Sequence, residues 1–341
     1  MKFLKTLGKI IIGIIILLAV LFGAGYLLTM GNHTVPATVD QDPSLPQMTL
    51  DGVTYHAETF GDPANPVVIT VHGGPGGDYR SLLSLVALSD EYYVVFFDQR
   101  GSGLSPRVDP EELSLESALA DLDSIVDHYG QGEKVNLVGH SYGAMLVSAY
   151  LGLHPGKVDQ AVLAEPGFLN SEFANRWSDG VQLKMSSGTL YYFLKTKFES
   201  LHVREPDDQA SADYFGHQWN LYQGEDHPQA AYYCEGVRGD EQGSWRFGAA
   251  AGTAIQQDAV DADGNFDISF VKGIEQFPNT VLFMTGECQT LIGADFQLEQ
   301  MELFPSAELA VIPDAGHEMF FENSADSVRV VREYLNQPAD Q

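Results

Sequence analysis

Apolar residues in this chain fall into short, nearly continuous runs, set apart by glycine-rich or polar turns and by stretches of helical spacing. The runs cover 67–71, 93–97, 135–138, 161–164, 281–285 and 309–312. Each is four or five residues long with no polar alternation, the pattern of strands covered on both faces. Helical spacing is read at 79–89, 115–129, 142–153 and 324–336. Strands alternating with helices predict an α/β fold, an eight-stranded and mostly parallel sheet. Residues 48–50 and 53–60 alternate around Asp51-Gly52, a hairpin signal. The rhythm breaks over 167–277, which is rich in aromatic and acidic residues; Leu190, Tyr191, Leu194 and Phe198 recur there at helical spacing. The expected organisation is a core of 48–166 and 278–341 with a helical cap inserted over 167–277.

The N-terminus follows another pattern. Residues 1–9 are basic, with Lys2, Lys5 and Lys9, and Ile10 to Met30 carries no charge. At about 1.5 Å per residue that run reaches roughly 30 Å, enough to cross a bilayer. The next cation is Arg80, so the positive-inside rule places the first residues in the cytoplasm and the rest outside. An uncleaved signal anchor over 10–30 is expected in preference to a cleaved signal peptide, whose apolar core is shorter. Residues 31–47 hold Pro36, Pro43 and Pro46 and read as a linker.

The polar segments at the strand ends carry the chemistry. The run at 135–138 ends in Gly139-His140-Ser141-Tyr142-Gly143 and gives way to a helix pattern. This is G-x-S-x-G at a strand–helix junction, where a serine sits on a tight turn with its hydroxyl exposed. The first parallel run empties into His72-Gly73-Gly74-Pro75-Gly76-Gly77, the second into Asp98-Gln99-Arg100-Gly101-Ser102-Gly103, and the last precedes Gly316-His317-Glu318. Strand ends line the active-site crevice of open α/β sheets. Ser141 is the nucleophile candidate and His317 its base. The backbone N–H groups of Tyr142 and Gly74 are the candidate oxyanion hole; Pro75 has none to offer. His72 and His140 sit beside the shaping glycines and read as packing residues. Asp98 and Arg100 read as an ion pair that shapes their loop.

Together these motifs resemble the prolyl iminopeptidase branch of the α/β-hydrolase superfamily, from about Leu50 to Leu335 and most densely in the sheet half. The resemblance implies an aminopeptidase acting through an acyl-enzyme. It also implies Gly-x-x-Asp after the seventh strand, and here the chain departs from it. Gly286-Glu287-Cys288-Gln289 puts an amide in the acid's place. Two carboxylates keep the order Ser, acid, His. Glu165 closes the sixth strand, where some haloalkane dehalogenases carry their acid; Glu287 lies two residues before Gln289. Glu165 is preferred, because a carboxylate at the end of an apolar strand is costly unless paired. The resemblance further implies that cap carboxylates recognise a free α-amino group, but this cap does not align with the family's and no residue here takes over that role. Separately, Arg246, beside Trp245, and Glu172, Glu199, Glu225 and Glu235 are candidates to face the pocket.

Charge narrows the partners. The chain of 341 residues has 18 Lys and Arg against 47 Asp and Glu, a net charge of −29. That excludes a nucleic-acid binder, which needs a basic surface. The glycines of 72–77 lack the lysine of a phosphate loop, and no metal motif appears, so no cofactor is expected. The expected partners are a small-molecule or short-peptide substrate and, through the N-terminal helix, the membrane. An esterase, lactonase or amidase on the same residues is the alternative, and a binding protein with a dead site is another, prompted by Gln289. Cys234 and Cys288 read as buried thiols, although an oxidising exterior would allow a bridge.

Overall fold

The computed structural model describes residues 2–181, 186–221, 227, 230–234 and 244–338. Eight strands form one sheet in the order β1-β2-β4-β3-β5-β6-β7-β8. They are β1 (Gln47–Leu50), β2 (Val53–Phe60), β3 (Val67–Val71), β4 (Tyr93–Phe97), β5 (Val135–His140), β6 (Val158–Ala164), β7 (Val281–Gly286) and β8 (Ala307–Ile312). The hairpin β1–β2 and the pair β2–β4 are antiparallel; every later pairing is parallel.

The nearly continuous apolar runs have a direct cause. Ile69, Val95, Leu137, Leu163 and Phe283 pack into the core on one face, and Val68, Val94, Val138, Val162 and Leu282 into the core on the other. A polar side chain on a central strand must find a partner, as Thr70 and Asn136 do on the Val95 and Val67 carbonyls. The first core is covered by α2 (Leu115–Gly130) and α3 (Tyr142–Leu153), the second by residues 79–88 and by α10 (Ser324–Leu335). Residues 79–88 form a 3-10 helix rather than an α-helix. Tyr79, Leu82, Leu85 and Leu88 are all buried, and that spacing of three matches three residues per turn.

Between β6 and β7 lie α4 (Ser171–Gly180), α5 (Ser187–Ser200), α6 (Ala210–Asn220) and α7 (Ala249–Asp258). Two short helices, α8 (Ala294–Met301) and α9 (Met319–Glu322), complete the chain; neither was marked by the sequence pattern. Cys234 and Cys288 are bonded to each other, which corrects the expectation of two thiols. The bridge ties the inserted region to the loop after β7.

The first helix, α1 (Lys2–Leu28), contains a 23-residue stretch, Thr6–Leu28, of mean hydropathy 2.8 with none of it buried. It is long and apolar enough to cross a membrane. In the segment that follows, Val39 is buried and its N–H donates to the Leu104 carbonyl.

Candidate active site

Ser141 stands between β5 and α3 with φ 55° and ψ −121°. A non-glycine residue at positive φ costs on the order of 1–3 kcal/mol and persists only where its surroundings enforce it. Here the enforcement is close packing. A Cβ on Gly139 would meet the Ala144 backbone at 2.7 Å, and one on Gly143 would overlap the Val71 carbonyl. Strand and helix can approach only because both positions lack a side chain. Tyr142 opens α3, where the first N–H groups have no acceptor within the helix. Gly74, at φ 129°, lines the same cavity as Ser141, Tyr142 and His317.

His317 follows β8 and is buried. Its Nδ1 lies 2.6 Å from Glu165 Oε2, and its N–H donates to the Tyr232 carbonyl. The Tyr232 ring stacks on the imidazole at 4.8 Å between centroids. Burial works to lower the His317 pKa, but the hydrogen bond and charge of Glu165, backed by Glu318 and Glu322, outweigh it, so the net direction is upward.

Glu165 follows β6 directly, is fully buried and has φ 44°. Its carboxylate is completely partnered. Oε1 accepts from the Thr285 hydroxyl at 2.8 Å and the Gly286 N–H at 2.6 Å; Oε2 faces His317 and accepts from Gln289 Nε2 at 3.3 Å. The amide at the position where the resemblance implies an acid is therefore a donor to Glu165. Its own Oε1 is held by the N–H groups of Leu291 and Ile292. Glu287, the other candidate, is exposed and accepts from the Asp314 N–H.

The remaining histidines near the serine serve the loops. His72 donates from Nδ1 to the Gly73 carbonyl and accepts at Nε2 from the Gln99 N–H. His140 donates from Nε2 to the His317 carbonyl at 2.8 Å. Burial lowers the pKa of both. Asp98 and Arg100 do not pair with each other. Asp98 meets His56 Nδ1 at 2.7 Å and accepts from the Tyr79 and Leu104 N–H groups, while Arg100 pairs with Asp121.

The cavity holds about 500 Å³. One wall is apolar, with Met145, Phe168, Trp177, Phe247, Phe266 and Phe270. Beside His317 the lining turns acidic, with Glu318 and Glu322, and Asp78 completes the carboxylates. Sequence reasoning passed over these three. Glu318, adjoining the histidine, was the one within reach of it; Asp78 and Glu322 converge only through the fold. Of the expected pocket residues, Arg246 is instead buried in ion pairs with Asp207 and Asp213, and its Nη1 donates to the Pro36 carbonyl. Glu172 is exposed on α4, and Glu199 pairs with Lys195. Neither lines the cavity. Glu225 and Glu235 lie outside the described residues.

A sequence profile described as "alpha/beta hydrolase fold" matches residues 66–324. A proline iminopeptidase of Heyndrickxia coagulans is 34% identical over 105 residues, 29% of this chain and 34% of that protein. A proline iminopeptidase of Saccharolobus solfataricus is 37% identical over 91 residues, 26% of this chain and 29% of that protein. The aligned stretches thus span about a third of those relatives' lengths. The crystal structure of a proline iminopeptidase-related protein from Thermus thermophilus superposes with a TM-score of 0.57 at 19% identity, covering 85% of this chain and 96% of that one. At that identity the likeness concerns the fold.

Proposed function

The chain belongs to the α/β-hydrolase family, and from that premise we propose that it is a serine hydrolase whose triad is Ser141, His317 and Glu165. The observation that carries the reading is the 2.6 Å contact between His317 Nδ1 and a fully partnered Glu165 carboxylate, in the cavity that Ser141 also lines. His317 Nε2 takes the proton of Ser141 as its oxygen attacks the substrate carbonyl carbon. Glu165 holds the Nδ1–H tautomer and offsets the imidazolium. The N–H groups of Tyr142 and Gly74 receive the developing oxyanion. His317 then protonates the leaving group, and water, activated by the same histidine, hydrolyses the acyl-enzyme.

Aminopeptidase action on an apolar N-terminal residue is the preferred reaction. The cavity supports it with carboxylates beside His317 to hold an ammonium and an aromatic wall to hold the side chain. The same aromatic wall favours, as a second reading, esters or lactones with bulky acyl groups. The region over 167–277 acts as the cap that shapes this choice. The helix α1 anchors the enzyme in the membrane with the catalytic domain outside the cytoplasm, a placement the Cys234–Cys288 bridge supports, because disulfides persist in oxidising compartments.

A fluorophosphonate probe tests the core of the proposal. The wild type should be labelled and Ser141→Ala should not, with turnover lost and the circular dichroism unchanged. Labelling of the variant would refute Ser141 as nucleophile. A panel of aminoacyl and acyl-ester chromogenic substrates then separates the two reactions.

A further inference from the structure

The outward face of α5 is apolar and continues a contact made by α1. The rings of Phe22 and Phe198 meet in a tilted contact at 5.4 Å and those of Tyr26 and His202 at 4.2 Å, and the Gly25 backbone lies against the Phe198 ring. Beyond Met30, eight large apolar side chains are exposed among the described residues, and four of them, Leu190, Tyr191, Leu194 and Leu201, belong to α5 or its last turn. They fall on one stripe with Phe198. Part of that stripe is covered by α1, and the rest, with Tyr191 68% exposed, is bare.

The depth of the α1 contact identifies what covers the remainder. Ile10 to Met30 is uncharged, and about 20 helical residues fill the hydrocarbon layer. A span starting after Lys9 ends near Met30, which leaves Phe22 and Gly25 below its outer edge. Sliding α1 until Phe22 clears the membrane would draw Lys9 and Lys5 into hydrocarbon, which disfavours their charge. Phe198 therefore sits within the hydrocarbon of the outer leaflet. Charge agrees: in a chain of net charge −29, residues 187–202 carry Lys195 and Lys197 against Glu199 alone. With Lys195 paired to Glu199, Lys197 is the surplus cation beside the apolar stripe, and a lysine there suits a phospholipid headgroup layer.

On the reading of α1 as a membrane anchor, we propose that the Leu190–Tyr191–Leu194 face of α5 lies in the lipid interface of the bilayer that α1 spans. The inner face of α5 packs on α6 through Phe193 with Phe215 and Trp219. Since α6 supplies His217 and Asn220 to the cavity, docking sets one wall of the active site a single helix layer, about 8–10 Å, from the lipid.

No free cysteine competes for label among the described residues. The full chain carrying Tyr191→Cys, labelled with an environment-sensitive nitrobenzoxadiazole dye, is reconstituted into phosphatidylcholine–phosphatidylglycerol vesicles. Asp62→Cys, in the exposed β2–β3 turn, is the aqueous control. The dye at 191 should be blue-shifted, shielded from iodide and quenched by shallow nitroxide lipid at least about threefold more than at 62, as for a face buried about 5–10 Å. A chain that floats with the vesicles but shows water-like dye at 191 overturns the docking and leaves the anchor standing. A chain that does not float overturns the anchor, and the docking with it.

Discussion

Glu165 sits where burial penalises a polar group and the backbone is strained: it is fully buried, at φ 44°. Four donors offset the desolvation, and the imidazole is one of them. This pairing makes a testable statement about pH. His317 must be neutral to act as base, and its pKa is raised above the ordinary 6.5. The acid limb of kcat/KM should therefore fall above pH 6.5, activity declining as pH drops through the His317 pKa. In Glu165→Gln the raising charge is gone and burial prevails, so the limb should move to lower pH. A kcat/KM profile of both proteins checks the direction. Ser141 and Glu165 directly follow recognisable strand runs and His317 lies in the loop after the last one, so the sequence could nominate all three as the proposed triad. The role of Gln289 was not, since an amide donating to a carboxylate from another strand end leaves no local signal.

Among the elements, the strands were the most readable, because a strand covered on both faces is predominantly apolar. Helix α8 was not, since Ala294–Met301 is two turns long and only partly buried. Residues 79–88 looked helical, yet their strict spacing of three selected the tighter 3-10 form. The Cys234–Cys288 bridge joins a segment that touches the site, because Tyr232 stacks on His317 and takes its N–H. Two cysteines 54 residues apart say nothing of such proximity in sequence. Cys234→Ser with Cys288→Ser should destabilise the fold by about 2–4 kcal/mol, read as a lower Tm that reductant no longer affects. Loss of the brace behind His317 should lower kcat as well, and an unchanged kcat would separate the bridge from the site.

At the scale of the whole molecule, α1 contributes no described side chain to either sheet core and touches the inserted region through α5. Deleting residues 1–30 should leave kcat/KM on a small soluble substrate within about tenfold of the full chain, because none of the removed backbone is paired to the catalytic sheet. Activity lost together with the fold would show that α1 is structural. A tag added after Gln341 should be cleaved by protease applied to intact spheroplasts; protection would reverse the proposed topology. The measurement that bears most directly on the central claim compares two single variants that each remove one carboxylate. Glu165→Gln should reduce kcat/KM by at least about 10²-fold, since a triad carboxylate contributes up to about 10⁴-fold, whereas Glu287→Gln should cost less than about tenfold. The reverse ranking would make Glu287 the acid and contradict the site as assembled around the end of β6.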